Sequence, residues 1–186
     1  MNANSKEIYV SVDIEAAGPI PGEYSMLSFG ACIVGIPTKS FYVELKPVNE
    51  NSVRAALEVS KFDLNELKLK GVEPAAAMRN FESWILEACA GGTPVFVGFN
   101  ATFDWAFINW YFHKFLQKNP FGIGGIDIKA YYMGYAGVDW DKTRSSQLPK
   151  DVKVESKLTH NALEDAKSQA EMFQRILEAS RAKRKT

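Results

Sequence analysis

Apolar residues in the first quarter of the chain fall in runs of strand length. The segment "IYVSVDIEAAG" is apolar and β-branched, and it predicts a strand over Ile8–Asp13. "SMLSFGACIVG" and "KSFYVELKP" continue as β-rich runs, the second alternating apolar and polar residues with a period of two. Short connections between these three predict an antiparallel meander. A polar stretch without a clear period follows. "PAAAMRNFESWILEACAGG" then switches to helical spacing, with Ala77, Phe81, Trp84, Ile85 and Ala88 on one stripe and Gly91–Gly92 ending it. "PVFVGF" predicts a short buried strand, "NATFDWAFINWYFHKFLQ" an apolar helix, and "IGGIDIKAYYMGY" a fifth short strand leading into a short helix. Residues from Gly137 to Lys157 read as a long polar loop. The chain closes with an amphipathic helix from Ala162 to Ala182, its stripe formed by Ala166, Ala170, Phe173 and Leu177. Three strands followed by alternating helices and strands predict an α/β fold, a mixed sheet flanked by helices.

The first strand ends in an unusual way. Asp13 and Glu15 sit two residues apart on one face, with Ile14 on the other. The strand rise places the two side chains roughly 6–7 Å apart at their origins. Carboxylates that close repel unless a proton or a cation lies between them. More acid stands near two helix starts. Asn100 is placed to cap the apolar helix, with Asp104 four residues later. Asn161 is placed to cap the last helix, with Glu164 closing a box-like contact back to it and Asp165 again four residues after the cap.

Taken singly, these acids have ordinary structural readings. A first-turn Asp gains ~0.3–1 kcal/mol from the helix dipole, Glu164 reads as a solvent-facing capping residue, and Asp127 caps its own short helix. His113, inside "WYFHKF", reads as a packed or surface histidine. Taken together, the strand-end pair, Asp104 and Asp165 make four carboxylates, with His160 just before the last helix, and they read differently if they converge. Only divalent cations make such a cluster tolerable near neutral pH, and oxygen donors without cysteine point to Mg²⁺ or Mn²⁺.

Composition narrows the classes. The 186 residues fit one domain, with a core over about residues 8–180 and a basic tail at 181–186. That tail, with Arg181, Lys183, Arg184 and Lys185, reads as a solvated helix end. With a formal net charge of zero, no broad basic surface advertises nucleic acid, so any polyanion would have to be held locally. Cys32 and Cys89 lie in apolar surroundings without metal-type spacing and suggest a reducing compartment, although two cysteines could in principle pair. "MNANSKE" does not look like a signal peptide, and no apolar run approaches the roughly 18–20 residues that cross a bilayer. The expectation is a cytoplasmic protein that spans no membrane.

The segments "VSVDIEAAG", "VGFNATFDWAF" and "THNALEDAKSQAEMF" resemble, in order and spacing, the three motifs of the DEDDh 3′–5′ exonucleases. The resemblance runs from about Ile8 to Ile176. It implies a ribonuclease H-like fold with a five-stranded mixed sheet, order 3-2-1-4-5, strand 2 antiparallel. It also implies two Mg²⁺ or Mn²⁺ ions held by Asp13, Glu15, Asp104 and Asp165, with Asp13 bridging both. His160 would be the general base on the attacking water, releasing nucleoside 5′-monophosphates from single-stranded 3′ ends. The four residues between His160 and Asp165 fit the histidine branch of the superfamily. Some relatives are homodimers.

The chain departs from the pattern at Ala16 and Ala17, where hydroxyl residues are common, and at Phe99, where histidine is frequent. At Ala16 that leaves the backbone, without a hydroxyl, to meet the terminal nucleotide. Phe103 and Phe107, or Trp140 in the loop, are the aromatic candidates for stacking on bases, against the competing reading of those rings as core. The alternative is a catalytically inactive module that binds single-stranded 3′ ends, opposed by the presence of all five motif residues. A haloacid-dehalogenase-like phosphatase is disfavoured because Glu15 stands where that chemistry needs a second Asp. DNA and RNA are not separated by these motifs, since discrimination rests on contacts to the 2′-hydroxyl.

Overall fold

The computed structural model describes residues 6–154 and 161–183. Its organising element is β1 (Lys6–Ala16), flanked antiparallel by β2 (Met26–Ile33) and parallel by β4 (Gly92–Gly98). With β3 (Ile36–Glu44) beyond β2 and β5 (Gly125–Asp127) beyond β4, the five-stranded sheet has the order β3-β2-β1-β4-β5. The expected order and the antiparallel second strand are both present. β1 is longer than its apolar run, because Lys6 and Glu7 pair with Gly92 and Thr93.

Among the described residues, six helices surround the sheet. α1 (Arg54–Ser60) and α2 (Leu64–Lys70) occupy the polar stretch in which no element was expected. Each has seven residues and buries one side chain, Ser60 or Leu67, so neither leaves an apolar stripe to read. The Asp63 carboxylate starts α2 by accepting from the Asn65 and Glu66 amides. α3 (Pro74–Ala88) and α4 (Thr102–Leu116) cover one face of the sheet. There Phe29, Phe81, Phe96, Phe107, Tyr111 and Phe112 are fully buried with Val10, Val12 and Ile14 of β1. α5 (Ile128–Ala136) and α6 (Ala162–Lys183) lie on the other face, where Phe173 and Ile176 pack with Val97 and Tyr132. Even-numbered β1 residues thus face α3 and α4, whereas Tyr9, Asp13 and Glu15 face α6.

The predicted loop after α5 contains two 3-10 turns, Trp140–Thr143 and Ser145–Gln147. Cys32 and Cys89 are both free and buried. Among the described residues no helix is long and apolar enough to cross a membrane.

One glycine decides how closely α6 approaches the sheet. Gly30 on β2 is the register partner of Asp13. A Cβ on it would stand 2.4 Å from the Leu163 backbone, so only a glycine lets the start of α6 rest there.

Candidate active site

Three chain segments deliver carboxylates to the C-terminal end of β1. Asp13 and Glu15 leave the same face of the strand, both half-buried, just before the β1–β2 register breaks between Glu15 and Ala16. Asp165 arrives on the first turn of α6, which is capped as expected. The Asn161 side chain accepts from the Leu163 and Glu164 amides at 3.1 and 3.2 Å. Glu164 is exposed, its carboxylate 2.8 Å from Lys167. One carboxylate oxygen each from Asp13, Glu15 and Asp165 lie within 4.8 Å of one another.

Asp104 comes from the opposite layer. It is buried in the first turn of α4, and its Oδ1 accepts from the Ile14 amide, between the two acids of β1, at 3.1 Å. The expected cap of this helix is corrected. Asn100 has φ +65°, in the left-handed region, and the cap residue is Ala101. The Ala101 amide is taken by Asp127 Oδ2 at 2.6 Å, while Asp127 Oδ1 caps α5 through the Ala130 amide at 2.8 Å. A single carboxylate 26 residues downstream therefore starts two helices, a tie that local capping rules do not reach.

The electrostatics record the crowding. Asp13 is held well above the usual carboxylate range, first by burial and then by the charges of Asp104, Asp165 and Glu15. Burial and the neighbouring Asp165 push Glu15 up to about 7. Burial pushes Asp104 to about 8, against the amide bond from Ile14. Dications relieve this stress without a proton, and an all-oxygen donor set of this size fits Mg²⁺ or Mn²⁺.

Gln169 is the site residue that sequence reasoning missed. Its Nε2 donates to Asp13 Oδ1 at 2.5 Å, and its Oε1 accepts from the Phe99 amide at 2.9 Å. The available signal is its spacing, four residues after Asp165 and so on the same helix face.

The aromatic candidates separate. Phe107 is fully buried in the core beneath α4, its ring centroid 5.2 Å from that of Phe103, so it offers no face to a base and is withdrawn as a substrate contact. Phe103 is 37% exposed. Trp140 is exposed as well, with Lys129 Nζ 4.0 Å from its ring centroid. The Ala16 side chain is buried. His113 is exposed in the last turn of α4. His160 lies outside the described residues.

This sheet order, with four acids brought towards one strand end, is the ribonuclease H-like arrangement of the DEDDh-type 3′–5′ exonucleases, and a relative 50% identical over nearly the whole chain shows that the chain belongs to the 3′–5′ exonucleases. It is 50% identical over 180 residues to an Escherichia coli protein named 3′-5′ DNA exonuclease Cap18, covering 96% of each chain. The nuclease domain of 3′hExo, a DEDDh family member bound to rAMP, superposes with a TM-score of 0.75 at 14% identity, over 96% of this chain and 95% of that one. E. coli Exonuclease I in complex with a dA16 oligonucleotide gives a TM-score of 0.71 at 17% identity, over 96% of this chain and 42% of that one. No family model matches the chain.

Proposed function

We propose that this exonuclease degrades single-stranded DNA from its 3′ end in a divalent-metal-dependent reaction that releases nucleoside 5′-monophosphates. The observation that carries the reading is the meeting of Asp13, Glu15 and Asp165 within 4.8 Å, with Asp104 buried behind them. Like charges at that distance need a proton or a cation, and scissile-phosphate chemistry favours the cation and supplies a reason for two.

Asp13, Glu15, Asp104 and Asp165 would hold two Mg²⁺ or Mn²⁺ ions. When bound, such ions lend positive charge to the scissile phosphate and the departing 3′ oxygen and lower the pKa of water. Among the four acids Asp13 is the central one, since its charge environment includes all the others. His160 takes the proton of the attacking water, its ordinary pKa being close to the working pH. The backbone at Ala16, at the register break, meets the terminal nucleotide, and the exposed ring of Phe103 offers a base-stacking face. A zero net charge suits a footprint of only a few nucleotides.

DNA is favoured over RNA by the name and 50% identity of the E. coli relative, and single strands by the oligonucleotide bound to Exonuclease I. The test is incubation of 5′-labelled single-stranded DNA, single-stranded RNA and duplex DNA with Mg²⁺. The reading expects shortening of single-stranded DNA from the 3′ end, stopped by chelator. Internal cuts, or loss from the 5′ end, contradict it.

A further inference from the structure

We infer that Gln169 is a positioning residue that fixes Asp13 for its ions. The inference rests on the reading that Asp13 holds divalent cations.

Phe99 follows directly on β4, and its backbone N–H is a donor only. The Gln169 carbonyl must therefore face Phe99, which turns the amide nitrogen towards Asp13 Oδ1. The orientation of the amide is set by chemistry rather than by a free choice between its two ends. One side chain on α6 thereby ties the end of β4 to the acid on β1. Asp13 is held at one oxygen by a donor that is itself anchored, and its remaining lone pairs are left for ligation.

The donor is also of a suitable kind. A Lys or Arg here would bring a positive charge against the ions the site must accept, and a carboxylate would add to the repulsion already lifting Asp13. A neutral amide orients the anion and does neither. Partners behind a metal ligand commonly carry a 10–100-fold effect on metal affinity, so Gln169 should carry one of that size.

A purely structural tie would cost stability and leave ion binding alone, so the test reads both. Mn²⁺ affinity is measured by electron paramagnetic resonance, without nucleic acid, for the full chain and for Gln169→Met and Gln169→Asn. The Met variant keeps the length and removes both bonds, whereas the Asn variant keeps an amide too short to span Phe99 and Asp13. The expected result is Mn²⁺ binding weakened about 10–100-fold in each folded variant, beyond any change in Tm. Wild-type Mn²⁺ affinity in either folded variant overturns the inference while leaving the metal site standing. Failure of the unsubstituted protein to bind Mn²⁺ overturns both. As a readout that needs no folded variant, the Gln169 side-chain amide resonances of the unsubstituted protein should move during a Mg²⁺ titration, and resonances that stay fixed through saturation also overturn the inference.

Discussion

Gly30 stands directly across the β1–β2 register from Asp13, and a methyl group there would lie 2.4 Å from the Cα of Leu163. Asp165, two residues further along α6, thus reaches Asp13 only because β2 has no side chain at this point. Gly30→Ala must push the start of α6 outward. The expected outcome is a loss of roughly 10²-fold in exonuclease kcat, since ~1 Å of misplacement carries that cost, with a destabilisation of about 1–3 kcal/mol from overpacking. Nuclease assays and thermal unfolding of the variant check it.

The carboxylates make the metal-free protein sensitive to alkali. Glu15 ordinarily titrates at 4.5 and stands near 7 here, and Asp104 ordinarily titrates at 3.8 and stands near 8. Between those values the folded chain holds protons that the unfolded chain has released, so these groups cost stability as pH rises from about 4 to about 8. Thermal unfolding in chelator should show Tm falling across that window. Saturating Mg²⁺ should flatten the fall by replacing the protons.

Asp104→Asn separates stability from activity. The amide keeps an acceptor for the Ile14 N–H and removes the buried charge. At pH above about 8, in chelator, the variant should therefore unfold at a higher temperature than the unsubstituted chain, each pKa unit being worth ~1.4 kcal/mol. Below about pH 4, where Asp104 is protonated in both the folded and the unfolded chain, the two should nearly coincide, and the variant should be inactive at every pH. An Asp104→Asn protein that degrades DNA normally removes this acid from the reaction.

Phe103 and Phe107, four residues apart on α4, should respond in opposite ways. Phe103→Ala removes an exposed ring and should weaken KM for single-stranded DNA by the equivalent of ~1–3 kcal/mol, with little change in Tm. Phe107→Ala empties a core position and should cost about 3–5 kcal/mol of stability. Steady-state kinetics alongside thermal unfolding distinguish the two.

Much of this architecture is written locally. The period-two alternation of β1 is enough to put Asp13 and Glu15 on one face, and Asn161 caps α6 as its position before the apolar stripe requires. What escaped the sequence depends on partners distant in the chain. Asn100 looks like a cap, yet the amide at the start of α4 is satisfied by Asp127, and Asn100 turns into a left-handed conformation instead. Gln169 is an unremarkable polar residue until Phe99 and Asp13 are brought beside it. α4 is so rich in aromatic residues that its sequence does not say which ring faces outward, which is why Phe107 and Phe103 look equivalent before folding. α1 and α2 bury too little to mark their own positions.

Crystals soaked in Mn²⁺, examined by anomalous diffraction, test the central claim most directly. The account predicts two peaks about 3.5–4 Å apart at the end of β1, bounded by Asp13, Glu15, Asp104 and Asp165. Manganese bound elsewhere, with these four side chains free of metal at saturating concentration, would contradict it.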